Sequence, residues 1–130
     1  MGWDDRCEFG ELLGKTLTEV TASDDQISFV CSDGSEYRQF HDQDCCENVS
    51  VDDVTGDWAD VIGSPIVVAD ERSNSDDPPK SEHAESYTWT FYKIDTAKGG
   101  VTIRWYGTSN GYYSERVSFE RTSGPRKEAA

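Results

Sequence analysis

Residues 87–121, YTWTFYKIDTAKGGVTIRWYGTSNGYYSERVSFER, decide how the chain is read. Three aromatic and β-branched runs, Tyr87–Ile94, Val101–Tyr106 and Tyr112–Arg121, are separated by Lys98-Gly99-Gly100 and Ser109-Asn110-Gly111. Such side chains suit a pleated, half-buried surface, and the glycine-bearing triplets supply the turns, so the runs predict a three-stranded antiparallel meander. The alternation tests the second turn. A two-residue loop at Asn110-Gly111 would set Ile103 against Ser118 and Val101 against Glu120, which mixes the faces. A three-residue loop with Gly111 left-handed pairs Ile103 with Val117 and Val101 with Phe119, and this register, or an equivalent bulge at Gly107, is expected.

Upstream, the same signals recur more weakly. Thr16–Thr21 is rich in β-branched residues, Ser23-Asp24-Asp25 turns the chain, and Gln26–Ser32 and Ser35–His41 flank Asp33-Gly34 in the pattern of a two-residue hairpin. That turn sets Ile27 opposite Phe40, Phe29 opposite Arg38 and Cys31 opposite Glu36, with Cys31 a small buried apolar residue. A short strand is expected at Val49–Val54. Trp58, Val61 and Ile62 stand at helical spacing between Asp57, a capping residue, and Gly63, which predicts one or two turns of helix. Pro65 blocks continuation, and Ile66–Ala69 reads as a buried strand. Residues 71–86 carry almost no apolar side chain and read as a mobile loop, and residues 122–130 as a flexible tail. The fold class expected is α+β, mainly antiparallel β: hairpins plus a three-stranded C-terminal meander with one or two short helices, in a single domain over residues 1–121.

The charge is lopsided. The formal net charge is −14, and residues 1–60 hold 16 carboxylates against Arg6, Lys15 and Arg38, whereas residues 61–130 hold ten against nine bases. If the acids of the first half share a face, the field they make is directional, and Asp24, Asp25, Asp42, Asp44, Glu47, Asp52 and Asp53 are the candidates to meet a partner with a basic surface. Direct nucleic-acid binding is disfavoured by the same charge. No run approaches the roughly 18 apolar residues of a membrane span, and Asp4 and Asp5 stand where a signal peptide would be basic, so a cytoplasmic location without membrane contact is expected. Cys7, Cys31, Cys45 and Cys46 then read as free thiols.

Two clusters concentrate chemistry-bearing side chains. In His41-Asp42-Gln43-Asp44-Cys45-Cys46-Glu47, His41 and Cys45 with Cys46 or Cys7 offer nitrogen and sulfur to a zinc ion, but no Cys-x-x-Cys pair supports such a site. A cysteine nucleophile is opposed by Asp42, Asp44 and Glu47, which disfavour a thiolate, and neither a phosphate loop nor a nucleophile elbow is present. No catalytic residue, metal or cofactor is therefore expected. The second cluster, Arg104–Glu115, sets Arg104, Tyr106, Asn110 and Tyr112 around a hairpin tip, residues able to anchor an interface or to stack on a planar ligand.

The segments Gln43-Asp44-Cys45-Cys46-Glu47, Gly56-Asp57, Gly63-Ser64-Pro65-Ile66, Trp89-Thr90-Phe91-Tyr92 and Ser109-Asn110-Gly111-Tyr112-Tyr113-Ser114 resemble a family of small uncharacterised bacteriophage proteins, over most of residues 9–120. The resemblance implies a phage or prophage origin and action inside an infected bacterium, and it brings no activity to any residue. The function expected is that of a non-enzymatic acidic phage protein that binds and inhibits a host protein, as a nucleic-acid mimic or anti-defence factor. The alternative is a protein that binds or sequesters a nucleotide-like small molecule through Arg104, Tyr106, Asn110 and Tyr112.

Overall fold

In the computed structural model, residues 6–43, 46–75, 79–80, 85–111 and 113–123 are described. Eight strands run in chain order among them: β1 (Leu17–Ala22), β2 (Gln26–Cys31), β3 (Glu36–Phe40), β4 (Asn48–Thr55), β5 (Ile66–Asn74), β6 (Ser86–Thr96), β7 (Gly99–Ser109) and β8 (Ser118–Ser123). They form two four-stranded antiparallel sheets, in the orders β1-β2-β3-β8 and β4-β7-β6-β5. The inner faces share one apolar cluster in which Phe9, Phe29, Tyr37, Tyr92, Ile103, Trp105 and Phe119 take part. Side chains of this size each gain about 1.5–3 kcal/mol from full burial, which lets a chain with a modest apolar fraction form a core.

Period-2 alternation explains the arrangement strand by strand. Tyr92, Ile94, Val101, Ile103 and Trp105 point inward and are buried, and Ile27, Phe29 and Cys31 do the same from the other sheet. One polar tie crosses the core: the Trp105 Nε1–H donates to Gln39 Oε1 at 2.9 Å, joining β7 to β3.

The expected α+β class is overturned, because the described residues hold no α-helix and only two short 3-10 turns, Phe9–Leu12 and Trp58–Asp60. Around Trp58 the expected ends are present. Asp57 accepts from the Ala59 N–H at 3.0 Å and Gly63 has a φ of 89°, but a single 3-10 turn suffices to bury Val61 and half-bury Trp58 and Ile62. The rest of a second turn is preempted by the Gly63 N–H, which donates to Leu17 O at 2.9 Å.

The three-stranded meander is also overturned. β6 and β7 pair as expected, from Ser86 with Ser109 to Thr96 with Gly99, but the third run joins the other sheet. β8 pairs with β3, placing Phe119 opposite Gln39, so the expected Ile103–Val117 and Val101–Phe119 pairs do not form. The free edge of β7 is taken by β4, whose Val49, Val51 and Val54 align with Gly107, Trp105 and Ile103. Val117 and Phe119 are still buried, in the same core but from the opposite layer.

The first hairpin is shifted by one residue from the expected register. Ile27 faces Gln39 and Phe29 faces Tyr37, with Ser32, Asp33 and Gly34 forming a three-residue loop closed by the Cys31 N–H on Ser35 O. This register puts Phe29 and Tyr37 on one face, and Gly34, at φ 90°, takes the left-handed position the loop requires. β5 reaches Asn74, beyond the strand expected at residues 66–69 and into the expected loop, and β8 takes in Thr122 and Ser123. Much of the remaining loop and residues 124–130 of the tail lie outside the described residues.

Candidate functional site

The outward face of the second sheet joins Arg104 and Tyr106 of the second cluster to aromatic residues of β6 and to one acid of the N-terminal half. On β6 and β7 the positions between the core residues place Tyr87, Trp89 and Phe91 beside Arg104 and Tyr106. Trp89 stacks at a tilt on Tyr106 with centroids 4.3 Å apart, Tyr87 lies 6.3 Å from Tyr106, and the Arg104 guanidinium sits 5.2 Å above the Trp89 ring. Trp89 is buried although it lies outside the inter-sheet core, because its neighbours on this outer face cover it.

Asp52 locks this patch to the acidic strand. It occupies a bulge in β4 between Val51 and Asp53, where the extra residue turns its side chain toward β7. Arg104 grips Asp52 Oδ2 through Nε at 2.8 Å and Nη2 at 2.5 Å, and Lys80 Nζ reaches Asp52 Oδ1 at 2.7 Å. Partial burial works against ionisation of Asp52, but the hydrogen bonds from Lys80 and Arg104 outweigh it and hold the carboxyl below its ordinary range. The Lys80 N–H also donates to the Tyr106 hydroxyl at 3.0 Å. Beside this knot, the Val51 N–H donates to Asp24 O at 2.7 Å, fixing the β1–β2 turn with Asp24 and Asp25 against β4 next to Asp52 and the exposed Asp53.

The other candidate residues are placed differently. Asp42 pairs with Arg6 at 2.9 Å and lies away from the β4 group, in the segment after β3. Glu47 is buried, with its Oε2 2.7 Å from His41 Nε2, and His41 Nδ1 meets the Arg116 carbonyl at 2.7 Å. Both nitrogens of His41 are thus engaged, one with the backbone of Arg116 and one with the Glu47 carboxylate. Cys46 is disulfide-bonded, against the expectation of a thiol there, whereas Cys7 and Cys31 take part in no disulfide. Burial pushes the Cys31 thiol up from its ordinary value, the opposite of what a nucleophile needs. Asn110 is exposed at the hairpin tip, where Gly111 has the expected positive φ of 92°. Asp44, Cys45 and Tyr112 lie outside the described residues.

Sequence reasoning missed the role of Trp89, which it counted as a strand-forming residue. Its alternation with Tyr92 and Ile94 was the signal, since an aromatic at an outward position is an interface candidate.

A family-wide pattern, the domain of unknown function DUF7448, matches residues 10–119. The chain belongs to the DUF7448 family. The match spans both sheets from the first 3-10 turn to the start of β8, so the aromatic face and the acidic turn are part of the family domain. No curated protein and no solved structure matches the chain. Among the described residues no helix is long and apolar enough to cross a membrane.

Proposed function

We propose that this DUF7448 protein is a non-enzymatic phage protein that docks on a host protein with a basic surface and inhibits it. The observation that supports this reading is the contact between Val51 and Asp24, which joins the aromatic and arginine face to an acidic margin. Aromatic and arginine anchors at the centre with charge at the rim is the composition of a protein interface, in which a few anchors carry most of the affinity and the rim steers the approach. The docking reading is preferred to whole-surface phosphate mimicry, because Asp42 and Asp52 are neutralised by cations and Glu47 is buried. Asp24, Asp25 and Asp53 remain as the exposed margin.

The test is affinity capture from bacterial lysate, followed by titration of the captured protein against variants that keep the wild-type melting profile. Arg104→Ala and Tyr106→Ala are expected to weaken binding by about 2 kcal/mol each, and the triple change Asp24→Asn, Asp25→Asn, Asp53→Asn to slow association and flatten its salt dependence. Equal binding by all three variants would remove the reading.

A further inference from the structure

On the side of the molecule where the chain crosses from β7 to β8, the two sheets part and leave a cleft. A cavity of about 720 Å³ is lined there by Glu71, Ser73, Arg116, Val117 and Phe119 among others, and one of about 420 Å³ by Glu71, Thr88, Thr90, Glu115 and Arg116. A third, of about 340 Å³, is bounded by Arg6, His41, Asp42 and Arg116. Arg116 borders all three.

Arg116 is held by its backbone rather than by its charge. Its carbonyl bonds to His41 and its N–H donates to Ser114 Oγ at 3.1 Å. Its guanidinium acts electrostatically on Glu71 across the cleft, yet among the described residues it has no carboxylate within ion-pair distance. Two neighbouring charged groups are already engaged: Arg6 pairs with Asp42 and Glu120, and Glu115 accepts from the Thr88 hydroxyl at 2.7 Å and the Ser109 hydroxyl at 2.6 Å. Behind Glu71 lies its cross-strand neighbour Tyr92, fully buried. The Tyr92 hydroxyl lies against the Glu71 carboxyl and interacts with it, in a contact that falls short of full hydrogen-bonding geometry.

Opposite charges that line the same cavities without forming an ion pair, with a weakly bonded hydroxyl beside one of them, match a ligand that carries both charges. A phosphate would find Arg116 and Arg6, the latter already committed to Asp42 and Glu120, against Glu8, Asp70 and Glu71 on the same rim, whereas a net-neutral molecule avoids that repulsion. We propose that this cleft binds a small zwitterion of the free α-amino-acid class, with its carboxylate on Arg116 and its ammonium on Glu71 near the Tyr92 hydroxyl.

The experiment is a thermal-shift screen of the whole chain against single free L-amino acids and inorganic phosphate at about 10 mM, since a ligand confined to the folded state must raise the melting temperature. Calorimetric titration of any hit follows. At least one free amino acid is expected to bind, and its N-acetyl and C-amide derivatives, each lacking one charge, to bind at least about tenfold more weakly. Arg116→Gln and Glu71→Gln change exposed side chains and should leave the unliganded melting temperature in place while abolishing the shift. No shift with any free amino acid, equal binding of phosphate or of the capped derivatives, or full binding by both variants would each overturn the proposal.

Discussion

His41 and Glu47 show how strongly single residues are committed to this fold. Their side chains are 4% and 0% exposed, and the imidazole bridges the Glu47 carboxylate to the Arg116 carbonyl, so removing the ring takes a close partner from a buried acid. His41→Ala is expected to destabilise the protein by about 3 kcal/mol, read as a lower urea midpoint at unchanged slope. A second knot surrounds Lys15, whose buried ammonium reaches Asp33 at 2.6 Å and Ser35 at 3.3 Å above the Tyr37 ring. Slight desolvation works to raise the Asp33 carboxyl, but hydrogen bonds from Lys15 and Ser35 prevail and bring it down to about 2. A carboxyl lowered on folding stabilises the native state fully above its unfolded value, and that contribution fades as pH falls from about 4 to about 2. With the side chain 44% exposed, solvent screening limits it to about 1 kcal/mol, and Asp33→Asn should flatten stability over that acid range by this amount in denaturation at stepped pH.

At the scale of elements, the turns separate cost from consequence. Gly34 and Gly56 both have positive φ, 90° and 111°, so an added Cβ is strained at either position. Around Gly34 the space is open, but at Gly56 a Cβ would lie 2.5 Å from Gly100 O and 3.2 Å from Val101 Cα, where β4 ends against β7. Gly34→Ala is expected to cost about 1 kcal/mol, and Gly56→Ala more than about 2 kcal/mol because backbone must also move. Thermal melts of the two variants, side by side, check the ranking. The same scale exposes the error over the first hairpin. Asp33-Gly34 invites a two-residue turn, but Gln39 and Tyr37 face the core, and burying Phe29 with Tyr37 outweighs the local preference.

For the whole molecule, charge acts twice. A net charge of −14 repels itself in the compact state, so the melting temperature is expected to rise between low and moderate salt as that repulsion is screened. A melting temperature that falls over this range would show that the ion pairs of Asp42, Asp52 and Glu120 dominate instead. Docking should respond the other way, since steering by Asp24, Asp25 and Asp53 weakens with salt. The acidic residues were visible as a group along the chain, but their division into a paired set, a buried one and an exposed margin was not, because each depends on cations distant in sequence. Arg104 and Asp52 meet across 52 positions, and Arg6 and Asp42 across 36.

Most strand locations, the β6–β7 hairpin, the end residues of the turn at Trp58 and the inward faces of Phe29, Ile103 and Phe119 could be read from alternation and turn chemistry, which act over a few neighbouring residues. The outer half of β5 and the late start of β8 at Ser118 could not. Which sheet β8 joins, which strand covers β7 and how the bulge at Asp52 brings an acid to Arg104 were decided only by the folded molecule. Alternation states which side of a strand is apolar, and any edge with a matching apolar face satisfies it equally. The choice among edges is made by the packing of two sheets around one core, where β4 and β8 each bury their apolar side only if they lie in different layers.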